Sequence, residues 1–425
     1  LPFILDAYFV AQLKSTTTYG ALGLSNNLLH TLVKLSEAIA VAAVATIGRH
    51  NGSRNLEECG NSLGDAFWTT IILGITQFVF VFFGSHHFFA WVGASEHLTE
   101  IGIPFLKIQS FAVFFAFVFM AFMGFFRGIK DTKTPLYITI VGLIFYIFFD
   151  YSLVLGKFGF PEMQLIGSAI SSLIRFALVS IISVIYILYS KKFSQYFKKS
   201  FFLSIRPKSI LSLIKLSLPV IIDKSSLSLS YIWLFKMVAP IGTHAMAAMD
   251  VVKNMERFAF IPAIAFAQVV TFLVSNRIGA GDPIGARKSI KKVLILAATM
   301  VIIPLALVTL NAEYLIGMFD HQAHFTKFAA QTLPLVSPLV IFDLIQLILA
   351  GALRGAGDVK TVMWTRSLTC AIILVPTSYI FSHLSNLSDP IRFALTYGSF
   401  YFNTALIGLI FLWRIKGNKW LNKKV

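Results

Sequence analysis

The chain has 425 residues, of which 57% are hydrophobic and 13% charged, with a net charge of +17 and a mean hydropathy of +0.78. A soluble protein of this length carries about 25% charged residues, and long charge-poor runs such as 68–83, 111–126, 136–149, 293–310 and 367–381 are too many to be core helices of a soluble domain. The positive excess does not mark a nucleic-acid binder, because the lysines and arginines gather in alternate loops, and two cysteines, Cys59 and Cys370, make neither a disulfide framework nor a thiolate metal site.

Hydropathy predicts spans at 1–13, 20–47, 63–83, 102–126, 135–155 and 165–190, then at 209–239, 244–275, 286–310, 328–353, 361–381 and 391–413. This is an all-α polytopic membrane protein of twelve transmembrane helices in two pseudo-symmetric six-helix bundles. The chain begins inside an apolar segment without Met, so the first helix is expected to be truncated at its N-terminus. The expected organisation is a bundle at 1–190, a basic linker at 191–208 and a second bundle at 209–425.

The duplication is visible in one motif. Gly124-Phe-Phe-Arg127-Gly128-Ile-Lys130-Asp131-Thr-Lys133-Thr134-Pro135 returns as Gly351-Ala-Leu-Arg354-Gly355-Ala-Gly357-Asp358-Val-Lys360-Thr361-Val362, with six of twelve positions identical. Each copy closes one apolar run and opens the next, as a tight polar hairpin does. Six spans per half make both halves enter from the same side, related by an axis along the membrane normal.

Charge placement sets the expected orientation. Alternate loops and the C-terminal tail hold 24 Lys and Arg, against 4 on the other side. The duplicated hairpins and both termini are therefore expected in the cytoplasm of a plasma (inner) membrane. The basic stretch from Lys191 to Ser209, interleaved with Phe193, Tyr196, Phe197, Phe201 and Phe202, reads either as an interfacial helix on anionic lipid or as a plain linker. Gly281-Asp282-Pro283 reads as a helix end, a cap and a first-turn proline rather than a phosphate loop.

Ionisable residues inside spans cost roughly 2.5–3.5 kcal/mol each and require a partner, a wet cavity or a task. Lys34 and Glu37, like Lys253 and Glu256, stand at i,i+3 and can neutralise one another. Asp6 and Asp150 have no base within a helical turn in sequence, and each lies on the order of 10 Å below the outer surface. Two such carboxylates can share a proton or sodium ion, or each can pair with a base from another helix, Lys34 being a candidate. Asp343, mid-span with Gln346 one turn on, also lacks a local base.

With these features in order, the chain resembles the multidrug and toxic-compound extrusion (MATE) family of secondary transporters. The resemblance rests on the paired Gly-x-x-Arg-Gly-x-x-Asp hairpins, Val238-Ala239-Pro240-Ile241-Gly242 and Arg277-Ile-Gly279-Ala-Gly281-Asp282. It implies cation-coupling roles for Asp6, Asp150 and Asp343, with a proton or sodium ion as coupling ion and no other cofactor. It implies export of organic solutes by antiport, two bundles rocking about a central cavity. Where the family carries a glutamate on its seventh helix this chain has Leu227, with Asp223 one turn away. Tyr146 stands where relatives often carry Asn. The residues expected to line the substrate cavity are Tyr146, Lys34, Glu37, Asp223, Lys253 and Glu256. Lys224, Lys236, Lys253 and Arg257 make the second half basic, which leaves anionic or zwitterionic cargo open beside cationic drugs. The alternative is a flippase for a lipid-linked oligosaccharide or another amphipathic lipid. An enzyme is not expected, since no Asp-rich or His–Asp pair faces an interface. The expected partners are a small-molecule solute and membrane lipid, not nucleic acid, and the unit is expected to be a monomer.

Overall fold

A computed structural model describes residues 9–10, 13, 16–92, 95–197, 205–317, 326–384 and 386–423. The elements are helices, connected by turns: α1 (Thr16–Gly52), α2 (Leu56–Val92), α3 (Glu96–Gly128), α4 (Lys133–Leu155), α5 (Gln164–Tyr189) and α6 (Pro207–Val238). They continue with α7 (Thr243–Gly279), α8 (Pro283–Leu310), α9 (Ala312–Gly317), α10 (Thr326–Val336), α11 (Val340–Gly355), α12 (Val359–Thr369), α13 (Val375–Ser382) and α14 (Asp389–Lys416). Among the described residues nine helices are long and apolar enough to cross a membrane. The chain is an all-α polytopic membrane protein. Several helices outrun the apolar spans. At about 1.5 Å per residue, the 37 residues of α1 exceed the roughly 30 Å of a hydrocarbon core by several turns.

Two of the expected spans are broken. Span 328–353 divides into α10 and α11 around a 3₁₀ turn at Ser337–Leu339, because Pro338 has no N–H to continue the ladder. Span 361–381 runs through a π turn at Cys370–Leu374. Pro376, in the first turn of α13, likewise removes a donor, and the wider turn re-registers the helix ahead of it.

The chain forms two compact units, Leu1–Ser217 and Leu218–Val425, each with its own apolar core. The division falls inside α6, just ahead of Pro219, and not at residue 190 or 209. The reason is anchoring. Arg206 reaches Glu58 at 3.0 Å and Asp65 on α2, and Leu213 is buried in the core of the first unit. The carboxylate hydrogen bonds hold the Arg206 guanidinium protonated well above the usual arginine range.

Of the linker, residues 198–204 lie outside the described residues, and the described part, 191–197, forms no extended helix. Residues Ser194–Tyr196 make a single 3₁₀ turn, and Phe193 is fully buried with its ring 5.6 Å from that of Phe126 and 6.1 Å from that of Phe125. Burying Phe193 turns the segment back under the first unit and leaves Lys191 and Lys192 exposed.

The duplicated motif has the same architecture in both units. In the first, a Cβ on Gly124 would meet Ala43 at 2.7 Å and one on Gly128 would meet Ile47 at 2.7 Å. In the second, a Cβ on Gly351 would meet the Ala267 carbonyl oxygen at 2.4 Å and one on Gly355 that of Thr271 at 2.2 Å. These glycines exist for close helix approach, α3 on α1 and α11 on α7. The motif aspartates then bind the threonine in the first turn of the next helix. Asp131 accepts from the Thr134 hydroxyl at 2.7 Å, and Asp358 from the Thr361 hydroxyl at 2.8 Å. Each also holds the end of the last helix of its half or the segment after it: Asp131 pairs with Lys192 at 2.6 Å, Asp358 with Arg414 in the last turn of α14 at 2.7 Å and with Lys423 beyond it at 3.5 Å. Gly281-Asp282-Pro283 behaves as read from sequence. Gly281 takes a positive φ of 69°, and Asp282 accepts from the Gly285 amide at 2.7 Å.

Candidate functional site

The second unit carries a chain of buried polar groups linking α6, α11 and α12. Asp223 is 1% exposed and accepts from Arg366 Nε at 2.6 Å and from Arg354 Nη2. Arg366 Nη2 donates to Gln346 Oε1 at 2.8 Å, and Gln346 Nε2 donates to Asp343 Oδ1 at 2.8 Å. Arg366, one of the 24 cations counted for the lysine-rich side although it falls within span 361–381, is 2% exposed within α12. A guanidinium tolerates such burial because its planar fork serves two acceptors at once.

Beside this lies Glu256 of α7. Its Oε2 accepts from Tyr397 at 2.7 Å and Tyr401 at 2.6 Å, two hydroxyls one turn apart on α14. Its Oε1 is buried and has no hydrogen-bond partner among the described residues. Asp343 stands within electrostatic reach of Glu256. Lys253 Nζ sits 4.7 Å over the face of Tyr231, whose ring lies 4.9 Å from that of Phe400. Cys370, in the π turn, accepts from the Ser230 hydroxyl at 3.1 Å.

The arrangement separates two kinds of carboxylate. Asp223 is paired with two arginines and so is not a carboxylate poor in counter-charge. Two guanidiniums and one carboxylate are a structural clamp. Glu256 has one saturated oxygen and one open, in a setting with a second carboxylate near. That geometry suits uptake of a proton or a small hard cation, since an ionised carboxylate offers acceptor sites on both oxygens.

In the first unit, Asp150 is fully buried on α4, with Tyr146 one turn before it and 1% exposed. The Arg175 guanidinium of α5 lies 5.6 Å over the Tyr146 ring and 4.9 Å over that of Phe176. Lys34 and Glu37 expose their side chains on α1. Asp6 lies outside the described residues. The sequence reading named Glu256 and Asp343 without connecting them, noted Gln346 beside Asp343 but gave it no role, counted Arg366 only as a loop cation, and missed Tyr397 and Tyr401. The i,i+4 spacing of the two tyrosines was the one available signal.

Internal duplication, apolar spans and buried carboxylates define a membrane-embedded carrier rather than a soluble fold. The chain belongs to the MatE family, whose profile matches residues 1–152 and 219–380. It is 25% identical over 373 residues to a probable multidrug resistance protein NorM of Mannheimia succiniciproducens, covering 87% of this chain and 79% of that one. It is also 25% identical over 363 residues to the probable multidrug resistance protein YoeA of Bacillus subtilis, covering 84% and 77%. Among solved structures, a MATE protein in its straight conformation superposes with a TM-score of 0.88 at 17% identity, over 98% of this chain and 92% of that one. A transporter of the MOP superfamily from Pyrococcus furiosus, described as having a binding pocket of reverse polarity, gives 0.86 at 17% identity, over 100% and 93%.

Proposed function

We propose that this protein is a secondary active exporter of drug-like or metabolite organic solutes, driven by antiport with protons or sodium ions across a plasma membrane. The observation that carries this reading is Glu256, a buried carboxylate with one oxygen held by two tyrosines and the other open, near Asp343. Loading that pair with a small cation cancels charge in a low-dielectric interior, the kind of local change that biases a protein between two conformations. Asp150, and Asp6 by the family resemblance, form a second candidate coupling site in the first unit. One charge descending a potential of about 100 mV releases about 2.3 kcal/mol, enough for roughly a 50-fold solute gradient. The relatives named for multidrug resistance support organic solutes as cargo.

The test is transport in proteoliposomes under separately imposed proton and sodium gradients, with cationic, zwitterionic and anionic solutes. Glu256→Gln, Asp343→Asn and Asp150→Asn are expected to insert normally. The first two should lose ion-driven efflux, and Asp150→Asn should weaken it. Unchanged export in all three removes the mechanism. A second reading, transport of an anionic or amphipathic lipid-linked cargo, draws on the basic residues Lys224, Lys236, Lys253 and Arg257 of the second unit; preferential export of the anionic solutes would select it.

A further inference from the structure

The first hairpin differs from its duplicate in ways the shared architecture does not explain. A cavity of about 300 Å³ opens there, lined by Ile129, Lys130, Asp131, Thr132, Lys133, Lys192, Phe193, Gln195 and Tyr196. That volume is within the range of small-ligand pockets. Three lysines face it and one carboxylate. Asp131 is already committed to the Thr134 amide and hydroxyl and to Lys192.

The duplicate supplies an internal control. Lys130 takes a left-handed φ of 66°, and the matching position in the second copy is Gly357, at φ 81°. Glycine adopts this conformation freely, and a lysine there carries strain. The turn therefore needs a glycine and holds a cation. Thr132 likewise replaces Val359. Both exchanges add a polar group to the cavity wall in the first copy only. A mere topology signal would need a lysine somewhere in the loop, not at the one position that penalises it.

The other walls are held in place. Lys192 Nζ is fixed by Asp131 at 2.6 Å and lies 5.3 Å over the Phe193 ring, and Tyr196 packs edge-on against Phe125 at 5.6 Å. Next to the cavity, α4 exposes Leu136, Tyr137 and Ile140, and the end of α5 exposes Ile185, Leu188 and Tyr189. Cations in a cup at the end of an apolar face match a phosphate joined to acyl chains.

We propose that this cavity is a binding site for a phosphate group, carried on the headgroup of an anionic phospholipid. Lys130, Lys133 and Lys192 supply the charge, Gln195, Thr132 and the Tyr196 hydroxyl supply donors, and the acyl chains run along α4 and α5. This stands apart from the transport reading, since none of these residues belongs to the buried carboxylate sites.

The test uses the full chain, purified in detergent and titrated with dioleoylphosphatidylglycerol, dioleoylphosphatidylcholine or inorganic phosphate, with bound ligand counted by native mass spectrometry. The double variant Lys130→Gly, Lys133→Gln places at residue 130 the glycine the duplicate uses, so its lipid-free unfolding temperature should not fall. Its affinity for phosphatidylglycerol is expected to drop about tenfold or more, with phosphatidylcholine binding unchanged. A loss confined to inorganic phosphate overturns the lipid assignment in favour of a soluble phosphate. Equal binding by wild type and variant in both anionic arms overturns the site.

Discussion

At the scale of single residues, what distinguishes one acid from another in this chain is its count of cations. Asp223 looked in sequence like a spare coupling carboxylate and proves to be clamped by Arg354 and Arg366. Removing one member of a buried pair leaves charge without compensation. Asp223→Ala is expected to destabilise the protein by about 3–5 kcal/mol, read as a lower thermal midpoint in detergent. Any Asp223 variant that still folds should keep its ion dependence of transport, whereas Glu256→Gln should lose it. Asp131 gives a different test. Burial is the largest effect and raises its pKa, but bonds from Lys192 and Thr134 together outweigh it and hold the group below its ordinary 3.8. A depressed folded-state value means the clamp contributes fully above the ordinary aspartate range and is lost as pH falls through the lower value. Amide exchange over 190–197, corrected for intrinsic rate, should be flat from about pH 7 to about pH 5 and rise only below about pH 4. Sequence could name these acids, because ionisable residues in apolar spans stand out. It could not apportion partners to them, since Arg366 is 143 residues from Asp223 and no periodicity encodes that contact.

At the scale of elements, the duplicated hairpin shows why the fold was legible. Hydropathy gave the spans, and the repeat gave two equivalent halves, because a glycine needed for close approach and an aspartate that binds both a first-turn threonine and a cation leave little choice of residue. Breaks inside spans were less readable. Pro338 and Pro376 were in plain view, but whether a proline yields a 3₁₀ break or a π turn depends on neighbours that pack around it. The unit boundary inside α6 was hidden for a similar reason: Arg206 and Leu213 join the first unit through contacts on α2 and in its core. The two glycine pairs should respond unequally to a methyl group. At Gly355 the Cβ meets the backbone oxygen of Thr271 at 2.2 Å, and at Gly128 it meets the Ile47 side chain at 2.7 Å. A backbone atom moves only with its helix, so Gly355→Ala should push α11 off α7 and cost about 1–3 kcal/mol. Gly128→Ala should cost less, since its nearest atoms, Ile47 Cγ2 at 2.7 Å and Cβ at 2.8 Å, are overlapped less deeply than a carbonyl oxygen at 2.2 Å. Thermal unfolding of both variants in the same detergent decides it, and a larger loss for Gly128→Ala would contradict this account of the packing.

At the scale of the whole molecule, charge distribution carries the orientation. Moving Arg366 from a loop into a buried clamp takes one cation from the lysine-rich side and leaves the bias steep. The bias works during insertion, since short loops rich in Lys and Arg are retained in the cytoplasm and the opposite loops cross. Arg366 is neutralised by Asp223 in the folded protein, but its neighbours Arg354 and Lys360 lie in the same stretch, so the vote of that loop is reduced and not reversed. Both hairpins, the turn at Ser194–Tyr196 and the tail after α14 should then face the cytoplasm, with the α4–α5 turn at Lys157 and the α13–α14 turn outside. Cys59 is buried and Cys370 sits within a helix, so a variant with both replaced by Ser gives a background for single-cysteine labelling. In intact cells, Lys157→Cys should react with a membrane-impermeant maleimide, while Lys133→Cys and Lys419→Cys should react only after permeabilisation. The opposite pattern would invert the molecule, and with it the direction in which an ion entering down its gradient could drive a solute.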